Sequence, residues 1–192
     1  SVAIGDSALL NNGTGASNTL QASENTAVGS KALYSNTLGY SNTANGYRAL
    51  YSNTTGTHNT AYGTNALYYN ISGIANTASG YSALYSNISG VSNTANGLNA
   101  LYYNTTGSYN TANGDHALFR NTTGSFNTAN GGLSLSYNTT GSYNTANGSS
   151  ALYGNTSGNY NTANGYQALL FNNGNYNTAN GYQALYLNNS GS

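Results

Sequence analysis

No cysteine, proline, methionine or tryptophan occurs in the 192 residues of this chain. Without cysteine, no disulfide staples the fold and no thiolate is on hand for chemistry. Without proline, every backbone N–H stays free to donate, as a chain of stacked ladders requires. Charge is nearly as scarce: three basic and three acidic residues make 3% of the sequence, with net charge zero, against roughly 25% charged in ordinary soluble domains. There is no basic face to displace counterions from phosphates, which excludes nucleic-acid binding. Nor is there a polybasic segment to hold an anionic membrane, or an apolar run near the roughly 20 residues needed to span one. Ser1 is preceded by no initiator methionine and no signal-like segment. The expectation is a processed mature form or an excised part of something longer.

Low charge alone would suit disorder, but disorder also lacks aromatics, and here there are 20 Tyr and 3 Phe. They fall in register. Asn-Thr-Ala recurs from Asn25, Asn42, Asn59, Asn76, Asn93, Asn110, Asn127, Asn144 and Asn161, always seventeen residues apart. Asn177 follows after sixteen, because Asn172-Asn173-Gly174 is one residue shorter than Asn155-Thr156-Ser157-Gly158. At the front, Ser1 to Asn18 is again seventeen, and a seven-residue fragment up to Glu24 then breaks the register. The reading is one repeat domain over 1–192, with a coil at 1–17 and an insertion at 18–24. Coils follow at 25–41, 42–58, 59–75, 76–92, 93–109, 110–126, 127–143, 144–160, 161–176 and 177–192.

Counted from its Asn, the unit reads Asn-Thr-Ala-x-Gly-Tyr-x-Ala-Leu-Tyr-x-Asn-Thr-Thr-Gly-x-x. Glycines at positions five and fifteen suit corners with φ > 0. The runs between them are too short for helices, and a two-helix repeat needs about twice the length. The expected fold is therefore all-β: a parallel β-solenoid (β-roll) of about eleven coils, with two short strands per coil, positions six to eleven and fifteen through three. Position nine is leucine throughout (Leu9, Leu33, Leu50, Leu67, Leu84, Leu101, Leu118, Leu135, Leu152, Leu169 and Leu185), which predicts a buried stack. Position three, alanine from Ala27 to Ala179, is a small inward column. Position seven varies freely and is read as solvent-facing. Stacked Asn columns suit in-register strands.

Two further columns are candidate sites. Position ten carries Tyr34, Tyr51, Tyr68, Tyr85, Tyr102, Phe119, Tyr153 and Tyr186. Left in water, such a stripe exceeds the apolar patch of an ordinary monomer, which points to lateral association with further copies; the alternative is a tyrosine-lined, exposed β surface with its hydroxyls in water. Position twelve forms N-x-S/T sequons at Asn12, Asn53, Asn70, Asn87, Asn104, Asn121, Asn138, Asn155 and Asn188, a candidate row of glycans. The same Asn-Thr-Thr-Gly is good turn chemistry, so the sequons also arise without sugars.

The first coil, Ser1-Val2-Ala3-Ile4-Gly5-Asp6-Ser7-Ala8-Leu9, resembles the head repeat of YadA-like trimeric autotransporter adhesins, as does Asn25-Thr26-Ala27-Val28-Gly29-Ser30-Lys31-Ala32. The resemblance implies a left-handed parallel β-roll, three chains side by side, and binding to host matrix or other cells. The seventeen-residue array is also similar to those of phage tail-fibre and large bacterial surface proteins.

For catalysis, the ionisable inventory is Asp6, Glu24, Lys31, Arg48, His58, Asp115, His116 and Arg120. His58 and His116 lie more than three coils apart, and Asp115 and His116, if on a strand, face opposite ways. No base is placed to activate a hydroxyl, so no catalytic, cofactor or metal site is expected. The function expected is a structural or adhesive segment of an extracellular, cell-surface or tail fibre. Its partners are then itself, as a lateral pair, trimer or end-to-end filament, and host glycans or proteins. The alternative is a curli-like filament stacked end to end, since the last coil is uncharged and its edge open to pairing. Ice binding by the Thr26, Thr43, Thr60 ladder lacks paired Thr-x-Thr columns.

Overall fold

The computed structural model of the protein describes residues 1–18 and 20–188. It is an all-β solenoid. Each coil contributes one three-residue strand at positions two to four: β1 (Val2–Ile4), β2 (Thr26–Val28), β3 (Thr43–Asn45), β4 (Thr60–Tyr62), β5 (Thr77–Ser79), β6 (Thr94–Asn96), β7 (Thr111–Asn113), β8 (Thr128–Asn130), β9 (Thr145–Asn147), β10 (Thr162–Asn164) and β12 (Thr178–Asn180). These pair in coil order as one eleven-stranded parallel sheet. Register is strict, Thr on Thr and Ala on Ala, as Thr111↔Thr128 and Ala112↔Ala129 illustrate.

The second expected strand is not there in most coils. Positions six to eleven form a chain of turns, and among the described residues a second sheet appears only where β11 (Phe171–Asn172) pairs with β13 (Leu187–Asn188). The cause is backbone conformation. Positions seven, nine and seventeen are left-handed, as at Asn99 (φ 53), Leu101 (φ 53) and Tyr109 (φ 58). Two left-handed residues separated by one cannot continue a pleat, so alternation stops. Position eight and position nine then both turn inward, and Ala100 and Leu101 are fully buried. Among the described residues, no β-branched side chain occupies a positive φ, because crowding at Cβ makes that conformation a true outlier.

The interior is the expected ladder of Ala and Leu. Leu33, Leu50, Leu67, Leu84, Leu101, Leu118, Leu135, Leu152 and Leu169 have no exposed surface, and Leu9 packs partly buried against them. Leu185 departs from the expectation: it is 52% exposed, since no described rung covers it.

Beside the apolar ladder runs a double amide ladder, at one wall of the coil. Asn104 Nδ2 donates to Gly107 O in its own coil (2.9 Å) and to Asn87 Oδ1 of the coil before (2.8 Å). Its own Oδ1 accepts from Asn121 Nδ2 at 2.8 Å. Asn93, at position one, donates to the same Gly107 O (2.8 Å) and to Asn76 Oδ1 (3.1 Å), which also takes the Asn93 backbone N–H. Every polar atom of both side chains is thus used. A satisfied buried network of this kind fixes one register, because any slip leaves amides unpaired.

The glycine at position fifteen therefore has another reason than the expected one. Its φ is not positive. Its carbonyl is where both Asn columns converge, and the approach leaves no room for a Cβ. The glycine at position five does need its freedom: Gly148 has φ 134, and a Cβ there would meet the Gly165 backbone.

The amide ladder also locates the irregularities. In the first coil, Asn12 Nδ2 donates to Ala22 O (2.9 Å) and Ser41 N pairs with Ser23 O (3.0 Å). Ala22, Ser23 and Glu24 thus fill positions fifteen to seventeen of coil one. The extra residues bulge between Asn12 and Ala22; they do not form a separate fragment at 18–24. At the other end, the shortened corner Asn172-Asn173-Gly174 breaks the position-twelve ladder, and Asn155 Oδ1 is left buried without a partner.

Candidate functional surface

Among the described residues, no group of three or more His, Cys, Asp or Glu comes together, and no helix is long and apolar enough to cross a membrane. Asp115 and His116 do meet, contrary to the strand-based expectation. The left-handed backbone at His116 (φ 53) swings its ring so that Nδ1 lies 2.5 Å from Asp115 Oδ1. His116 Nε2 faces Asn99 Nδ2 at 3.2 Å. With Nδ1–H donated to the carboxylate, Nε2 accepts from the amide, so both ring nitrogens are occupied and no nucleophile is held against them.

The sequon column has a different use from the expected one. Asn53, Asn70, Asn87, Asn104, Asn121, Asn138 and Asn155 are completely buried. Glycosylation replaces a hydrogen on Nδ2 and needs space beside it, whereas these amide hydrogens sit in the ladder. Asn12 and Asn188 are half-buried, with Nδ2 donated to Ala22 O and to Asn172 and Asn177 Oδ1 respectively. The sequons are a by-product of an Asn ladder followed by a Thr-rich turn.

The position-ten stripe is likewise committed within the chain. Tyr34, Tyr51, Tyr68, Tyr85 and Tyr102 stack face to face at 4.9–5.2 Å, close to the strand spacing. Tyr69 and Tyr103, at position eleven, close over them edge-on, 4.7 Å from Tyr68 and Tyr102. Phe119 continues the column, and Tyr153 and Tyr186 pack edge-on around Phe171. All eight are half-buried, so the stripe is a second, aromatic core on the flank of the first.

Burial, and then the neighbouring Tyr69, hold the Tyr85 phenol up at about 12. Burial raises Tyr68 and Tyr102 as well, and for Tyr153 the hydrogen bond with Tyr137 is the first cause. A folded-state value above the unfolded one gives stability that is complete below the unfolded value and lost as pH rises through the folded one. Thermal unfolding should therefore hold level up to about pH 10 and fall steadily toward 12. Ultraviolet titration of phenolate should run later in the folded protein than in urea.

The aromatic column that does face solvent is one that sequence reasoning missed. At position seventeen, Tyr109, Phe126, Tyr143, Tyr160 and Tyr176 stack at 4.8–5.1 Å with ring planes within 4–7° of parallel. They are 46–72% exposed. The signal was visible as Tyr or Phe before Asn-Thr-Ala in five successive coils. Next to the rings, on the outward side of the sheet, stand Thr111, Thr128, Thr145 and Thr162, and beyond them an outer amide ladder. In it Asn96, Asn113, Asn130, Asn147, Asn164 and Asn180 are joined by Nδ2–Oδ1 bonds of 2.8–2.9 Å. The result is an uncharged, pre-ordered strip of rings, hydroxyls and amides running along the solenoid. No protein-family model, curated protein or solved structure matches the chain.

Proposed function

We propose that this chain is a rigid segment of a structural or adhesive fibre, working outside the cell or on a cell or virion surface, and that it associates laterally with copies of itself. The observation that carries this reading is the exposed ring column Tyr109–Tyr176. Five stacked rings form one continuous aromatic edge, which monomers seldom leave in water. A second copy has the same repeat, so ring, hydroxyl and amide columns stay in step along the contact. With no charge in the strip, burying it carries no ionic desolvation cost. The interface is placed at position seventeen and not at the position-ten stripe, whose rings are already packed. The adhesin-like opening repeats and the rod shape agree with such a role.

Sedimentation velocity tests it. The native chain should run as a lateral pair or trimer at micromolar concentration, and the double variant Phe126→Ser, Tyr143→Ser as a folded monomer. Tyr85→Ser should lower the melting temperature instead, because it removes a ring from the flank core. A native chain that sediments as a monomer at all concentrations overturns the lateral reading.

A further inference from the structure

Position eleven carries a single charged residue. The column reads Ser35, Ser52, Tyr69, Ser86, Tyr103, Arg120, Tyr137, Gly154, Phe171, and Arg120 is exposed. No carboxylate answers it: the one ion pair among the described residues joins His116 to Asp115. Its guanidinium lies 4.6 Å over the Tyr137 ring, a contact that holds the planar fork in place and leaves its N–H donors free.

Arg120 sits on a shallow open groove of about 460 Å³, lined also by Ser86, Tyr103, Thr105, Thr122 and Thr139. Three of these are threonines in register, one from each of three successive coils. Thr105 Oγ1 donates to Thr122 O, Thr122 Oγ1 to Thr139 O and Thr139 Oγ1 to Thr156 O, at 2.8–3.0 Å. With their hydrogens so used, these oxygens are left to act only as acceptors. Tyr103, 46% exposed, adds an apolar ring.

The groove thus offers one bidentate anion donor, a row of hydroxyl acceptors and a ring. We infer that it binds a hexuronic acid residue of an acidic polysaccharide. The sugar carboxylate takes the Arg120 fork, its hydroxyls donate to the threonine oxygens, and its C–H face lies on Tyr103. A sulfate would use the fork but has no hydroxyls for the row, and a neutral sugar would leave the fork unused.

This gives the adhesive half of the proposed function a ligand class, and it is measured separately from assembly. Calorimetric titration of the full chain compares a galacturonic acid oligomer, a neutral glucose oligomer of equal length, and inorganic sulfate. The acidic oligomer should bind about tenfold or more tightly than the neutral one, the difference expected of one charge-assisted hydrogen-bonded pair. Arg120→Gln should remove that preference without changing the circular dichroism or the melting curve, and Arg120→Lys should restore only part of it, since the fork is lost. Equal binding of the two oligomers, or unchanged binding by Arg120→Gln, overturns the site; displacement by an equal concentration of sulfate reduces it to a general anion contact and overturns the sugar. Repeating the titration on Phe126→Ser, Tyr143→Ser separates this outcome from the failure of lateral association, because the groove contains neither residue.

Discussion

Replacing Gly107 with alanine should be among the most damaging single changes available to this protein, although it adds one methyl group to a turn. The added Cβ would lie 2.8 Å from Asn121 Nδ2, and nearer still to Asn104 Oδ1 and Gly124 O. Two of these three atoms belong to the next coil, so relief requires the rungs to part. Parting them breaks the bonds from Asn121 Nδ2 to Asn104 Oδ1 and from Asn110 to Asn93 Oδ1 and leaves buried amides unsatisfied. Overpacking costs about 1–3 kcal/mol, and each orphaned buried polar group about 1–3 more. A loss of about 4 kcal/mol or more in urea unfolding is expected. Gly132→Ala is the control. A Cβ there meets nothing closer than Asp115 O at 3.9 Å, and the change should cost less than about 0.5 kcal/mol. Similar losses at the two sites would mean that the amide ladder does not hold the rungs together.

The period, the parallel register and the leucine stack are legible in the sequence because each recurs from coil to coil along the chain and so averages out local noise. Which side each column faces is harder. Alternation works for Thr-Ala-Asn, where the backbone is extended, but fails through Ala-Leu-Tyr, where left-handed residues reset the direction. A trace of that reset exists: positions seven, nine and seventeen carry no Val, Ile or Thr in any coil, although the chain is rich in threonine elsewhere. The Asn at position twelve could be read three ways, as turn former, sequon or ladder, and composition cannot separate them. What separates them is the inward turn of the side chain onto a glycine carbonyl three residues later, a tertiary fact. The aromatic columns are similar. Positions ten and seventeen look alike as text; packing half-buries the first, with Tyr69 and Tyr103 closing edge-on over part of it, and leaves the second exposed.

The same backbone argument gives a second large effect. Leu101 has φ 53 and no exposed surface, so the site demands an apolar side chain of leucine's size whose branching lies beyond Cβ. Leu101→Met keeps the volume and the unbranched Cβ, and should cost less than about 1.5 kcal/mol. Leu101→Ile keeps volume and hydrophobicity but places a branched Cβ against the following carbonyl in the left-handed region. Strain of about 1–3 kcal/mol is expected from that conformation, before any repacking against Leu84 and Leu118. Isoleucine should therefore approach the damage of Leu101→Ala, a truncation expected to cost about 2–5 kcal/mol. Leu170 supplies the comparison, being 5% exposed, one position further along its coil and not left-handed. Leu170→Ile should behave as an ordinary core swap, below about 1.5 kcal/mol. Urea midpoints for the four variants decide the matter. If isoleucine is tolerated equally at both positions, backbone conformation does not explain why position nine is always leucine, and shape in the Ala/Leu stack must do so instead.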